Sequence, residues 1–411
     1  MGHLVRLRVV VVHNQDFDPN ADLKDDPTLA SRADVENAAR DVVRALTELG
    51  HEARTLPVPK GQPAAAALET VRALESLQPD LVFNLCESLG GDSRHEAVLP
   101  SLFELAGIRY TGSGPQALGL ALRKDLTKKL LIAHGVSTPG AVTLDADDVS
   151  GVTLPFPLIV KPTREDASVG ITRDSVVHDR AALARRVAAV RREFRQPVLV
   201  EQYIEGREIY VSMLGAKPQI LPMHEIDFSA MPAHKPRIVS YEGKWDASSD
   251  EYHGTRSVRC GELDAVTRAR CQAAARAAFH ALELRDYARV DLRVSAEGVP
   301  YVIDVNPNCD LSDGAGVSRA ASYGGLSYPQ LIQQICEAAL RRYQPESENH
   351  VHAADPVEQP AQAVAGSEGR AAHPSLAGGG PDAAREVGVD GRAVHDGRSG
   401  GRARADRRRA R

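Results

Sequence analysis

ARVDLRVSAEGVPYVIDVNP, Ala288 to Pro307, contains two strand-forming runs around a turn. Its β-branched and aromatic residues suit a pleated surface, and Glu297-Gly298 supplies the tip of the turn. Arg289 and Asp291 stand two apart, so they share one face of the first strand, with Val290 and Leu292 on the other. In the second strand Asp304 and Asn306 share a face, while Ile303 and Val305 point away. A carboxylate in such a run is costly to bury without a partner. Pairing the strands gathers Arg289, Asp291, Asp304 and Asn306 on one surface. Two carboxylates and a carboxamide are hard oxygen donors, the set Mg²⁺ prefers when it also holds phosphates. The plainer reading, a buried salt bridge of Arg289 with one aspartate, accounts for only two of the four residues.

If a metal sits there, other segments should hold a nucleotide. In FPLIVKPTREDASVGITR, Phe156 to Arg173, Lys161 ends an apolar strand stopped by Pro162. The small residues around Ser168 then offer backbone amides to phosphate oxygens. A lysine at a strand end is by itself equally a snorkelling surface residue. In VLVEQYIEGREIYVSML, Val198 to Leu214, Glu201 ends one apolar run, Gly206 permits a turn and Glu208 enters the next. Carboxylates so placed can accept from an adenine amino group or a ribose hydroxyl, or can be ordinary edge-strand charges. Lys124, within LRKDLTKK, reads by itself as a solvated helix lysine.

The chain has 411 residues and a net charge of −5, enough length for two or three domains and a charge that argues against nucleic acid as partner. The five cysteines are scattered without a CxxC pair, which fits a reducing, cytoplasmic setting better than a disulfide framework or zinc site. No apolar stretch is long enough to cross a bilayer. The first ~120 residues alternate strands (LRVVVVHN, HEARTLPV, PDLVFNL, IRYTG) with helices (ADVENAARDVVRALTELG, AAAALETVRALESL, HEAVLPSLFELAG), the pattern of a parallel, helix-flanked sheet. The first turn has no GxGxxG. SGPQALGLALRKDLTKKLLIAHG reads as one helix with Ser113 as its cap. Strands with the helix DRAALARRVAAVRREF follow, then strands, a polar aromatic loop, and the helices LDAVTRARCQAAARAAFHAL and SYPQLIQQICEAALRRY. After Tyr343 the apolar content collapses, and residues 344–411 read as a disordered tail.

Taken together, these segments resemble the ATP-grasp superfamily and, within it, the D-alanine–D-alanine ligases, over roughly residues 80–343. VFNLCESLGGDSRHEAVLPSLFELAGIRYTGSGPQALGLALRKDLTKKLLIAHGVSTP, IVKPTREDASVGI, VEQYIEGREI, RVDLRV and VIDVNPN come in the family's order. The resemblance implies an N-terminal α/β domain (1–120) and two α+β subdomains (121–213 and 214–343) that clamp ATP. It implies that Lys124, Lys161 and the Ser168 loop meet the phosphates. Glu201, Gln202 and Ile204 would line the adenine site, and Glu208 would bind the ribose. Asp291, Asp304 and Asn306 would ligate Mg²⁺, with Mn²⁺ as the alternative. Lys244, in YEGKWDASSDEYHG, would cover the γ-phosphate, and Arg289 would stabilise the tetrahedral intermediate. The reaction implied is ATP-dependent joining of a carboxylate to an amine through an acyl phosphate, with amino-acid or small-peptide substrates. A homodimer is implied only in this way.

The substrate half departs from the family pattern. The glutamate that holds the first substrate's ammonium has no clear counterpart; Asp34 and Glu36 are the candidates. CESLGGDSRHEA replaces a His-Gly…Gly-Glu-Asp-Gly loop. NPNCDLSDGAGVSRAA replaces the segment that grips the second carboxylate, where Gly314, Gly316 and Ser318 offer a small-residue anion site. Asp310 and Asp313 there would repel a carboxylate or attract a cation. Three readings follow: a ligase with altered substrates, a true D-alanine–D-alanine ligase, and a non-catalytic nucleotide-binding regulatory module.

Overall fold

The computed structural model describes residues 6–15, 29–215 and 217–344. The tail expected over 344–411 lies outside them except for Gln344, and so does residues 16–28 of the rewritten substrate region.

The N-terminal part alternates as its sequence suggests: β1 (Arg8–Asn14), α1 (Leu29–Glu48), β2 (Glu52–Val58), α2 (Pro63–Leu77), β3 (Leu81–Asn84) and α3 (Val98–Leu105). The strands form a parallel sheet in the order β2-β1-β3. IRYTG contributes only a single bridge, Tyr110 to Val82. Valines alternate through β1: Val9 and Val11 pack under α1, while Val10 and Val12 pack under α2 and α3. A strand covered by helices on both faces needs such a continuous apolar run.

The expected single helix after Ser113 is two, α4 (Pro115–Leu122) and α5 (Lys124–Ala133). Arg123 leaves the helical region at φ −87°, ψ 80°, and the freed Lys124 amide donates to Thr163 O at 3.1 Å. Gly114 takes the cap position, and Ser113 Oγ accepts from the Arg285 amide instead. Next come β4 (Ala141–Leu144), β5 (Leu158–Pro162), β6 (Val176–Val177), α6 (Arg180–Phe194) and β7 (Val198–Gln202). They make an antiparallel sheet, β4-β7-β5-β6, covered by the apolar stripe of α6. Asp179 caps that helix by accepting from the Ala182 amide at 2.7 Å.

The remaining elements are β8 (Arg207–Leu214), β9 (Gln219–Ile220), β10 (His224–Asp227), α7 (Tyr241–Trp245), α8 (Asp250–His253), β11 (Arg256–Arg259), α9 (Ala265–Ala281), β12 (Tyr287–Val294), β13 (Pro300–Asn306), α10 (Gly316–Tyr323) and α11 (Tyr328–Arg341). The polar aromatic loop expected around Lys244 is thus largely the two short helices α7 and α8. The boundary expected at residue 213 runs through β8, which pairs with β10 and β12. By hydrogen bonding, the division falls near Gly206. There φ is +142°, and a Cβ would stand 1.9 Å from Val294 O, so only glycine fits.

The β12–β13 hairpin brings the four expected polar residues together, with Arg289 opposite Asn306 and Asp291 opposite Asp304. One expectation fails. The ladder shifts beyond Asp304, so that Leu292 faces Val302 and Ile303 is the extra residue of a bulge. Val302 and Val305 therefore both enter the core against α9, while Ile303 turns to the same side as Asp304 and lines a cavity. On β12, Ala288, Val290, Leu292 and Val294 fill that core, and Arg289, Asp291 and Arg293 face away from it.

The helix α11 ties the ends of the fold together. Arg342, just past it, pairs with the fully buried Asp286 and donates to Tyr110 O at 2.8 Å. Asp286 also accepts from the Gly112 amide at 2.8 Å. Arg342→Met leaves a buried carboxylate without its cation, so urea unfolding should show a loss of about 3–5 kcal/mol. A loss under about 1 kcal/mol, typical of an exposed pair, would show that this pair does not hold the fold.

Candidate active site

The polar face of the β12–β13 hairpin looks into a small cavity of about 110 Å³. Every residue expected at the nucleotide and metal site lines it: Lys124, Lys161, Ser168, Glu201, Gln202, Ile204, Glu208, Lys244, Arg289, Asp291, Asp304 and Asn306. The break at Arg123 explains Lys124. Its ammonium is not solvated but buried, donating to Asp304 at 2.9 and 3.1 Å and to Asp166 at 3.3 Å. Burial works against this charge, yet the two aspartates hold the lysine above its ordinary pKa.

Asp291 is gripped by Arg289, Nε to Oδ1 at 2.7 Å and Nη2 to Oδ2 at 3.0 Å, and accepts from Asn306 Nδ2 at 3.2 Å. The salt bridge of the plainer sequence reading is therefore present. It does not account for the hairpin alone, because Asp304 is held by a different cation. At the back of the cleft Lys161 stands 2.5 Å from Glu201, which also pairs with Lys128. Burial disfavours a charged Glu201, but the two lysines outweigh it and lower its pKa. Glu208 pairs with Arg293 at 3.0 Å and accepts from the Tyr210 hydroxyl at 2.8 Å.

Lys128, Arg293 and Asp166 were missed from sequence. Lys128 lies one turn after Lys124, and Arg293 continues the alternation of Arg289 and Asp291, so both carried a readable signal. Asp166 sat within a quoted motif without any periodicity to mark it.

The Ser168 loop is strained, with φ +51° at Ala167 and +63° at Ser168. It is clasped by the α7 segment: Trp245 Nε1 donates to Ala167 O at 3.2 Å, and Ser168 Oγ donates to Val239 O at 2.9 Å. This clasp carries Lys244 into the cleft, where burial and the nearby Arg289 lower its pKa.

A second cavity of about 910 Å³ adjoins the first; Tyr210, Lys244, Arg289 and Asn306 line both. One wall is acidic, with Asp34, Glu87, Glu96 and Asp310. Of the two candidates on α1, Asp34 lines this cavity, while Glu36 turns to an ion pair with Arg40 at 3.2 Å. Ser318 Oγ accepts from the Gly314 amide at 2.8 Å and is spent inside its own loop, so of the three small residues only Gly316 lines the cavity. Asp313 turns to Arg44 at 3.3 Å, whereas Asp310 stays in the wall.

This arrangement, lysines and oxygen donors closing on a cleft between two antiparallel sheets beside a parallel α/β layer, is that of an ATP-grasp ligase. Residues 145–337 match the family model described as the D-ala D-ala ligase C-terminus. The chain is 35% identical over 308 residues to the y4sG protein of Sinorhizobium fredii, covering 74% of this chain and 88% of that one. It is 31% identical over 304 residues to the D-alanine–D-alanine ligase of Syntrophotalea carbinolica, covering 73% and 90%. The fold matches the Bacillus anthracis D-alanine–D-alanine ligase complexed with ATP at a TM-score of 0.64, with 23% identity, over 82% of this chain and 98% of that one. The chain belongs to the D-alanine–D-alanine ligase family.

Glu87 provides a test of the acidic wall. Burial, then Asp310, Asp166 and Asp34, push its pKa up to about 8 from 4.5. The folded chain thus holds this proton more tightly than the unfolded chain. Its contribution to stability is complete below about pH 4.5 and is lost as pH rises toward 8. Glu87→Gln should flatten that part of the pH dependence in urea unfolding and be the more stable protein at pH 8. Parallel pH profiles for the two proteins would remove Glu87 from the acidic wall.

Proposed function

We propose that the chain activates a substrate carboxylate with ATP in the smaller cavity and joins it to an amine bound in the larger one. The observation that carries this reading is the junction itself. Lys244, Arg289 and Asn306 face both cavities, so a phosphoryl group entering from one side meets a carboxylate from the other. A carboxylate is a poor electrophile, and phosphorylation gives it a leaving group that an amine can displace.

Asp291, Asp304 and Asn306 fit a divalent cation by donor chemistry. Among the described residues no three acidic, thiol or imidazole groups cluster to hold a metal unaided; phosphate oxygens and waters would complete the shell. This is how Mg²⁺ is bound in nucleotide sites. When bound, the ion offsets charge on the phosphoryl oxygens. The protein's own part is separate. Lys161 and Lys128 fix Glu201 beside Gln202 and Ile204, where an adenine amino group finds an acceptor. Arg293 and Tyr210 fix Glu208 for a ribose hydroxyl. Lys124 and Lys244 supply positive charge to the phosphates, and closure of the α7 segment excludes water from the activated acid.

The amine substrate's ammonium fits the wall of Asp34, Glu87 and Asp310. No helix among the described residues is long and apolar enough to cross a membrane, and we place the reaction in the cytoplasm, where ATP is made available.

The test is ADP formation with Mg²⁺ and a panel of D- and L-amino acids, followed by product mass. Asp304→Ala should bring turnover down at least 10²-fold, roughly the effect of removing one charge-stabilising group, with circular dichroism unchanged. Turnover retained in that variant would remove Asp304 from the site. Product from D-alanine alone would support a true D-alanine–D-alanine ligase.

A further inference from the structure

Among the unpartnered buried polar atoms on the wall of the larger cavity, those of His224 and Arg319 are not used by the reaction above. His224, on β10, is 1% exposed, yet neither ring nitrogen has a hydrogen-bond partner. Its ring stands edge-on to Tyr210 with centroids 5.2 Å apart. Arg319, one turn into α10, has a buried Nε without a partner, and among the described residues no carboxylate pairs with it. Both line the larger cavity together with Gly316. Buried polar atoms are nearly always satisfied, and Arg319 is half-buried with its Nε turned into the wall. Two such groups in one cavity wall mark the place of a missing partner.

The geometry separates this place from a second one beside it. A Cβ on Gly316 would stand 3.1 Å from His224 Nε2 and 3.9 Å from Arg289 Nη1. Glycine thus keeps open a gap bounded by the imidazole, Arg289 and the opening turn of α10. Arg289 spends Nε and Nη2 on Asp291, which leaves Nη1 and the first amides of α10 for one carboxylate. A carboxylate has about four lone-pair sites, and these donors meet that demand. Arg319 and His224 are then in excess. The imidazole is neutral, its pKa pulled down to about 3 by burial, Arg289 and Arg319, so it can donate from one nitrogen beside the Arg319 cation.

We propose that His224 and Arg319 form a specificity subsite for a second anionic oxygen group on the amine substrate, so that the preferred acceptor is an amino acid with a carboxylate side chain. This rests on the ligase reading for its purpose but on the two unpaired groups for its place. The acidic wall of Asp34, Glu87 and Asp310 would receive the ammonium of the same molecule.

Full-length protein saturated with Mg²⁺ and a non-hydrolysable ATP analogue is titrated calorimetrically with D- and L-aspartate, D- and L-glutamate, and D- and L-alanine. An acidic amino acid should bind at least about ten-fold tighter than alanine of the same hand, one charge-assisted hydrogen bond's worth. His224→Leu and Arg319→Met should each bring that preference down about ten-fold, and His224→Gln should restore most of it. Binding of the ATP analogue and thermal unfolding serve as folding controls. Equal affinity for acidic amino acids and alanine, binding of neither, or equal loss of both in the variants would overturn the subsite. ADP formation with neutral amines alone would also overturn it while keeping the ligase. Binding of aspartate or glutamate without ADP formation from any amine would keep the subsite and overturn the ligase reading.

Discussion

Two ion pairs, Lys124 with Asp304 and Arg289 with Asp291, set the terms for everything around the cleft. Lys124, Arg289 and Asp291 are largely withdrawn from water there and Asp304 is partly so, and such charges are tolerated because their partners are in place. The partners come from distant parts of the chain. Lys124 reaches Asp304 across 180 residues, and it can do so only because the helix breaks at Arg123 and the Lys124 amide bonds to the β5 strand end. The hairpin bulge at Ile303 then keeps Val302 and Val305 in the core while Asp304 faces the lysine. A local backbone irregularity on each side serves one electrostatic contact.

The same contact bears on the proposed chemistry. If a divalent cation binds as proposed, Asp304 would hold it in place of Lys124, and the lysine would supply its charge to a phosphate. The back of the cleft repeats the theme with a deliberate imbalance. Lys128 and Lys161 share the single carboxylate of Glu201, so one positive charge is left over where polyphosphate would lie. On the far side the larger cavity carries the opposite sign on one wall, and its charge pattern runs from the acidic Asp34 and Asp310 to the cationic Arg289 and Arg319. A zwitterionic guest has a defined orientation in such a field.

The sequence made the local parts readable. Alternation in β12 and β13 placed Arg289, Asp291, Asp304 and Asn306 on one surface, and the helices read around α6, α9 and α11 are present. What it hid was long-range. Periodicity cannot tell which sheet a strand joins, so β8 was set apart from the β10 and β12 strands it pairs with. It cannot show a bulge, so Ile303 was set on the face away from Asp304. The short α10 lacked a sequence signal, since Gly316 opens it and Ala315 at its cap offers no side-chain acceptor. Glu36 and Asp34 could not be separated without knowing how α1 rolls against the sheet. His224 looks like any polar residue in an edge-side strand, and its lack of partners exists only in three dimensions.

The central claim is that the Lys124–Asp304 and Arg289–Asp291 pairs are the resting form of a metal–nucleotide site. A crystal structure of the protein with Mg²⁺ and a non-hydrolysable ATP analogue tests it most directly. The account predicts the ion between Asp291, Asp304 and Asn306, with Lys124 moved from Asp304 to a phosphate oxygen. A nucleotide bound elsewhere, or bound in the cleft with both ion pairs intact and no metal on the hairpin, would contradict it.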